Sequence, residues 1–293
     1  MSFKKSLIMI SALVGAVVCL TACGNNAVGK PSTASINFIK FSHGSAETPE
    51  GNNLIVTLFA SDPEYSWDMS RSEDLQRVEN VKKYMGIATE YIEDQAAKYG
   101  KKCNFIYDFE ENTDLKYQNN FDIKLESEDY EKIDDVLTDY IENNIPVDDL
   151  LEKYDSQNMV FMIVMNTDER NKTITCTNTW YQGTIYPYET VLMYYMDEGD
   201  VNPPAVYAHE LLHAYGAPDL YTEDEEYKID KKFLMYVEKN MENDIMYVCS
   251  DIDTSEYLYD RITNDFSELD AYYVGLTDHS KVASENGLQK SQH

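Results

Sequence analysis

The stretch Asn202 to Asp219 reads Asn-Pro-Pro-Ala-Val-Tyr-Ala-His-Glu-Leu-Leu-His-Ala-Tyr-Gly-Ala-Pro-Asp, and it constrains the fold more than any other part of the chain. Asn202 is a good N-cap and Pro203 stands where a missing N–H does no harm. The spacing predicts a helix running to Gly216, with Ala208, Leu211, Leu212 and Tyr215 as its core stripe. His209 and His213, four residues apart, share the adjacent face with Glu210 beside them. Two imidazoles one turn apart can hold one zinc ion, and the carboxylate between them can reach a water on that ion. Gly216 is free to adopt positive φ, so the chain can leave the helix end sharply and swing Asp219 back as a third ligand. The competing reading is a charged patch on an amphipathic helix, and it leaves the glycine and the aspartate unaccounted for.

Around this segment, hydrophobic periodicity predicts an α/β protein. Asn53 to Ala60 reads as a buried strand. Ser70-x-x-Glu73 has the form of a capping box, followed by Val78, Val81, Met85, Ala88, Ile92, Ala96 and Tyr99 at helical spacing and Gly100 as a stop. Cys103 to Phe109 returns to strand. Ser127 can cap a second helix with Tyr130, Ile133, Leu137, Tyr140 and Ile141 inward, and Pro146 ends it or opens a short successor. Met159 to Met165 is apolar throughout and predicts a central strand covered on both faces. Thr173 to Tyr181 alternates like an edge strand, and Val191 to Met196 supplies another. Strands separated by helices imply a mixed, mostly parallel sheet with an antiparallel edge and helices on at least one face.

The chain has 293 residues with 24 Lys+Arg against 53 Asp+Glu, a formal net charge of -29. Such an excess repels a phosphate backbone, so a nucleic-acid partner is excluded as an expectation. Lys4 and Lys5 followed by an apolar run from Leu7 to Leu20 have the layout of a secretory signal. Leu20-Thr21-Ala22-Cys23, followed by Gly24, resembles a bacterial lipobox. The expected division is therefore a signal over 1–22, a tether anchored through a lipid on Cys23 over 23–51, one domain over 52–278, and a loose polar tail over 279–293. An ordinary signal peptide with Cys23 incidental is the alternative. Cys103, Cys176 and Cys249 remain, and an odd three cannot form a disulfide framework; buried free thiols are expected. The acidic run Glu223 to Glu226 invites calcium, but no EF-hand spacing accompanies it, and solvated surface is the default. His43, His279 and His293 have no motif around them.

The pattern HExxHxxGxxD over His209 to Asp219 resembles the zinc signature of the metzincin metallopeptidases, whose usual third ligand is His. The Asp form resembles that of the snapalysin family. The longer string to Tyr221 is similar to the immune-inhibitor-A type of secreted bacterial peptidase. The resemblance implies a zincin-like fold with an active-site helix and a smaller, irregular and helical C-terminal lobe. It further implies one catalytic Zn²⁺ held by His209, His213 and Asp219, with Glu210 as general base for the attacking water. It places a methionine turn downstream, for which Asp244-Ile245-Met246-Tyr247 is the candidate and Met235 and Met241 are rivals. Phe266 to Leu276 corresponds to the family's last helix, and the helix from Ser127 to Ile141 to an insertion. Asp in place of His lowers the charge around zinc, yet two His plus a carboxylate is an established catalytic set.

By the same resemblance, a peptide substrate lies extended along the edge strand Thr173 to Gly183. Tyr247 is a candidate oxyanion stabiliser, with an ordinary packed tyrosine the weightier alternative. The expectation is an exported, lipid-anchored, monomeric zinc endopeptidase acting on proteins or peptides at the outer face of the membrane. Two other readings stand beside it: a surface binding lipoprotein whose zinc site is vestigial or structural, and a glycan adhesin lined by Tyr181, Tyr186, Tyr188, Tyr194 and Tyr195. An intact Glu210 favours the enzyme, because a structural site has no use for a base beside the metal.

Overall fold

The computed structural model describes residues 48–125, 130–178 and 187–290. Its architecture follows from two apolar segments. β1 (Gly51–Ser61) and β4 (Ser156–Met165) pair in parallel along nearly their whole length, and from residue 54 onward in β1 and 158 onward in β4 every side chain is buried. Strands buried on both faces need cover above and below, which the helices supply.

β6 (Glu189–Tyr194) adds to β4 in parallel, and the short β5 (Cys176–Asn178) pairs antiparallel to β6 at the sheet edge. On its other side β1 is shared by β2 (Cys103–Ile106) and β3 (Lys116–Asn120), both parallel to it. The order is β2-β1-β4-β6-β5, with β3 beside β1 beyond the end of β2. The parallel joints require crossovers: α1 (Ser72–Lys98) lies between β1 and β2, and α2 (Tyr130–Asn144) and α3 (Val147–Lys153) between β3 and β4. A hairpin of β7 (Met196–Asp197) and β8 (Asp200–Val201) leads into α4 (Pro204–Ala214), which packs against α1. The C-terminal part holds α5 (Lys231–Asn240), α6 (Glu268–Tyr273) and α7 (Lys281–Asn286). The mostly parallel α/β sheet with an antiparallel edge is thus present as expected.

Several local expectations are corrected. Ser70 does not cap α1: its hydroxyl donates to Asp68 Oδ1 at 2.6 Å, Arg71 is the N-cap, and no side chain caps the helix. The helix otherwise buries Val78, Val81, Met85, Ala88, Ile92 and Ala96 as the periodicity predicts, while Tyr99 stays largely exposed. Cys103 to Phe109 is strand only as far as Ile106. Asn202 is one residue too early to cap α4, whose N-cap is Pro203 with Pro204 opening the helix. Its buried amide instead donates to Tyr194 O at 2.7 Å and Asp197 Oδ2 at 2.9 Å, tying the β7–β8 hairpin to β6. β3 was missed because a five-residue strand reading Lys-Tyr-Gln-Asn-Asn carries no apolar alternation.

The tail is not loose: Ser280 caps α7 through Ala283 N at 3.1 Å, Gly287 closes it, and Ala283 and Leu288 are buried. Ser127, Tyr181, Gly183 and Tyr186 lie outside the described residues, as do His43, His293 and the whole segment to residue 47 with Cys23. Tyr188, Tyr194 and Tyr195 are buried in the core, where they pack and cannot line a glycan platform. Among the described residues Cys103, Cys176 and Cys249 form no disulfide, and each is half-buried rather than fully enclosed. Among the described residues no helix is long and apolar enough to cross a membrane.

Candidate metal centre

α4 is buried on most of its circumference, including His209 and Glu210. Such burial of two polar side chains requires partners, and for the imidazoles both ends of each ring are accounted for. His209 Nδ1 donates to Ile245 O at 2.9 Å, and His213 Nδ1 donates to Ala217 O at 2.7 Å. A carbonyl can only accept, so each ring carries its hydrogen on Nδ1 and, when neutral, turns a bare Nε2 inward. The two Nε2 atoms stand 3.0 Å apart, and Asp219 Oδ1 lies 3.2 Å from each.

Three lone-pair atoms pressed together at these distances repel unless positive charge lies among them. A proton can bridge only one of the three contacts at a time, whereas a divalent cation satisfies all three. The geometry also has the right size: zinc bonds near 2.0–2.1 Å in a tetrahedron set ligand atoms roughly 3.3 Å apart. Asp219 Oδ1 is buried with no hydrogen-bond donor among the described residues, which fits an oxygen reserved for a cation. Among those residues His209, His213 and Asp219 are the one group of this kind, and they could hold a metal ion.

The loop after α4 explains how Asp219 arrives. Gly216 takes φ +94°, a conformation costly for any other residue, and its N–H reaches His213 O at 2.8 Å. Ala217 N then returns to Leu212 O at 3.1 Å, so the same turn that ends the helix also presents the Ala217 carbonyl to His213. Leu220 is buried, and its N–H donates to Met246 O at 2.9 Å, pinning the far side of the loop. Gly216→Ala is expected to cost about 1–2 kcal/mol, read as a lower denaturant midpoint, and to weaken metal uptake by displacing Asp219. A wild-type midpoint in that variant would show that the turn tolerates a side chain.

Electrostatics inside the cluster are strong. Burial works to raise the pKa of Asp219, but His213 and His209 outweigh it and hold the carboxyl well below the usual carboxylate range. For His209 burial favours the neutral ring, while Cys249 and Asp219 pull the other way and raise its pKa in the metal-free protein.

The turn from Asp244 to Tyr247 meets this site through its main chain. Ile245 O orients His209, Met246 O anchors Leu220, and the Met246 side chain is fully buried. Met235 is exposed on α5, and Met241 forms the C-cap of that helix. Tyr247 has Glu238 and Glu242 as its charged neighbours. The tyrosine at the metal cluster is Tyr221, whose ring lies nearly parallel to the His209 imidazole, 15° between planes and 6.3 Å between centroids. Burial, then the charges of Asp219 and Glu210, push its hydroxyl pKa up. Tyr221 is nevertheless 52% exposed, so it forms an accessible rim. Its position two residues beyond Asp219 was the available sequence signal. Cys249 was also missed: its thiol lies 3.9 Å from Ile245 O, behind His209. In the acidic run, Asp224 Oδ1 accepts from the main-chain N–H of Glu226 and Tyr227, which closes a turn.

No model of a known protein family matches the chain, and no curated protein matches it either. What the fold and the site define together is an α/β protein in which two histidines of a buried helix and an aspartate of the loop after it form a group that could hold a metal ion.

Proposed function

We propose that this protein is a zinc-dependent endopeptidase of metzincin type, exported and lipid-anchored through Cys23. The observation that carries the reading is the convergence of the two Nε2 atoms and Asp219 Oδ1 within 3.0–3.2 Å, each ring turned by a main-chain carbonyl. Nitrogen and carboxylate donors in this number suit zinc, and three protein ligands are the number a catalytic zinc site uses. Zinc at such a site supplies Lewis-acid chemistry, polarising a carbonyl oxygen and acidifying water.

The chain's own residues supply the rest. Glu210, next to the first ligand in α4, takes the proton of the attacking water and hands it to the leaving amine. Neither serine nor cysteine acts as nucleophile. An extended peptide pairs with β5, which lies at the sheet edge. Tyr221 donates its hydroxyl to the oxyanion that develops on the scissile carbonyl, the role that the sequence suggested for Tyr247. Tyr221→Phe is expected to lower kcat about 10²-fold with KM and zinc content unchanged, measured by steady-state peptide hydrolysis. Unchanged kcat would remove Tyr221 from the chemistry.

The reading is tested by metal analysis of the purified protein together with hydrolysis of a broad peptide library. One zinc per chain with cleavage supports it. Zinc without cleavage favours the binding lipoprotein, and absence of zinc defeats the endopeptidase.

A further inference from the structure

Between His213 and Asp219 the chain reads Ala214-Tyr215-Gly216-Ala217-Pro218, and Tyr215 alone among these has a side chain able to hydrogen-bond. It is buried at the C-cap of α4, and its hydroxyl donates to Asn53 Oδ1 of β1 at 2.8 Å, across 162 residues of sequence. That bond ties the helix end directly to the sheet.

The amide that receives it is an exception in its surroundings. Asn53 is buried and leads into the apolar run Leu54-Ile55-Val56 of β1, and Asn158, its partner in the parallel register with β4, is buried as well. Burying two amides costs free energy unless their polar atoms are paired. Here they are paired. Asn53 Nδ2 donates to Gly51 O at 3.1 Å and lies 3.4 Å from Cys103 Sγ, while Asn158 Nδ2 donates to Thr48 O at 3.0 Å and to Asn53 Oδ1 at 2.8 Å. Main-chain carbonyls only accept, so Gly51 and Thr48 fix which end of each amide carries nitrogen. Asn53 Oδ1 is thereby turned to Asn158 and Tyr215, an acceptor with a donor for each of its two lone pairs. Phe105 of β2 stands in the same cross-strand row as Asn53, and its ring meets the Tyr215 ring edge-on at 6.2 Å.

Directly after Tyr215 comes the turn that builds the metal centre. Gly216 N returns to His213 O at 2.8 Å, and Ala217 O receives His213 Nδ1 at 2.7 Å. These contacts lie within α4 and its turn, so they shape the turn without fixing where it sits against the sheet. On the far side of Asp219, Leu220 N is held by Met246 O. The loop carrying the aspartate is suspended between two anchors, and the nearer one is the Tyr215 hydroxyl.

We propose that Asn53 and Tyr215 are positioning residues for the metal centre, seating the end of α4 so that the Ala217 carbonyl meets His213 and Asp219 Oδ1 converges on both imidazoles. The inference rests on the zinc reading above. Neither residue is among the converging ligands, so each acts through them. Outer-sphere support of this kind is worth roughly 10- to 100-fold in metal affinity.

Tyr215→Phe keeps the ring against Phe105 and removes only the hydroxyl. In the full chain loaded with zinc, this variant is expected to release the metal to a chelator about tenfold faster than wild type. Tyr194→Phe is the control. Tyr194 is equally buried, and its hydroxyl donates to Leu125 O at 2.6 Å, so its loss is expected to lower the denaturant midpoint comparably while zinc release stays at the wild-type rate. Asn53→Leu is expected to speed release as Tyr215→Phe does, and the double variant no more than either one, because both changes break the same bond. Release from Tyr215→Phe at the wild-type rate overturns the proposal, as does equal acceleration in Tyr194→Phe, the mark of a general loss of stability. A wild-type protein that takes up no zinc defeats the metal reading and the proposal with it, so metal content tells the two failures apart.

Discussion

Glu210→Gln is expected to reduce peptide hydrolysis by about 10²- to 10⁴-fold while the protein keeps its metal. Glutamine preserves the shape of the buried side chain and cannot accept the water's proton, so the loss falls on kcat and not on folding. The measurement is single-substrate kinetics beside metal analysis of the same preparations. A variant as active as wild type would remove Glu210 as the base. The test is discriminating because Glu210 is not one of the converging ligand atoms, which belong to His209, His213 and Asp219.

The second large effect concerns the ligands themselves. Asp219→Ala removes the only anionic member of the cluster and is expected to lower zinc affinity by more than about 100-fold, beyond what outer-sphere changes cost. The same change should raise sensitivity to chelators and lower the thermal midpoint of the zinc-loaded protein. A ligand held at 1,000 times its Kd stabilises the native state by about 4 kcal/mol, and most of that stabilisation disappears when affinity drops. Calorimetry with and without zinc measures it. Equal zinc affinities in the two proteins would mean that Asp219 does not bind the ion.

Between the sequence and the fold, the large elements agree and the ends do not. The Met159 to Met165 run and the Val78 to Ala96 periodicity are long enough that one residue's preference cannot overturn them, and both became the expected elements. Caps depend on which of several neighbouring polar groups wins. Ser70 is taken by Asp68, and Asn202 by Tyr194 and Asp197, partners whose proximity is set by the turn or by the sheet. β3 exists because β1 offers an open edge beyond β2, a condition that no five-residue window encodes. The loose tail failed in the opposite direction: Ala283 and Leu288 are buried, Val282 N donates to Glu268 Oε1, and Gln289 N and Nε2 donate to Tyr227 O and Glu226 O, partners that only the folded chain brings within reach.

The candidate site divides along the same line. Residue spacing alone determined that His209 and His213 share a helix face and that Gly216 can turn the chain toward them, because helical periodicity and the steric freedom of glycine are local properties. Tertiary structure decided that the Ile245 carbonyl orients His209, that Met246 O pins the loop carrying Asp219 at Leu220, and that Tyr221 stands against His209. The Ile245 and Met246 contacts join residues far apart in the chain, and they form only when that turn packs against α4 and its following loop.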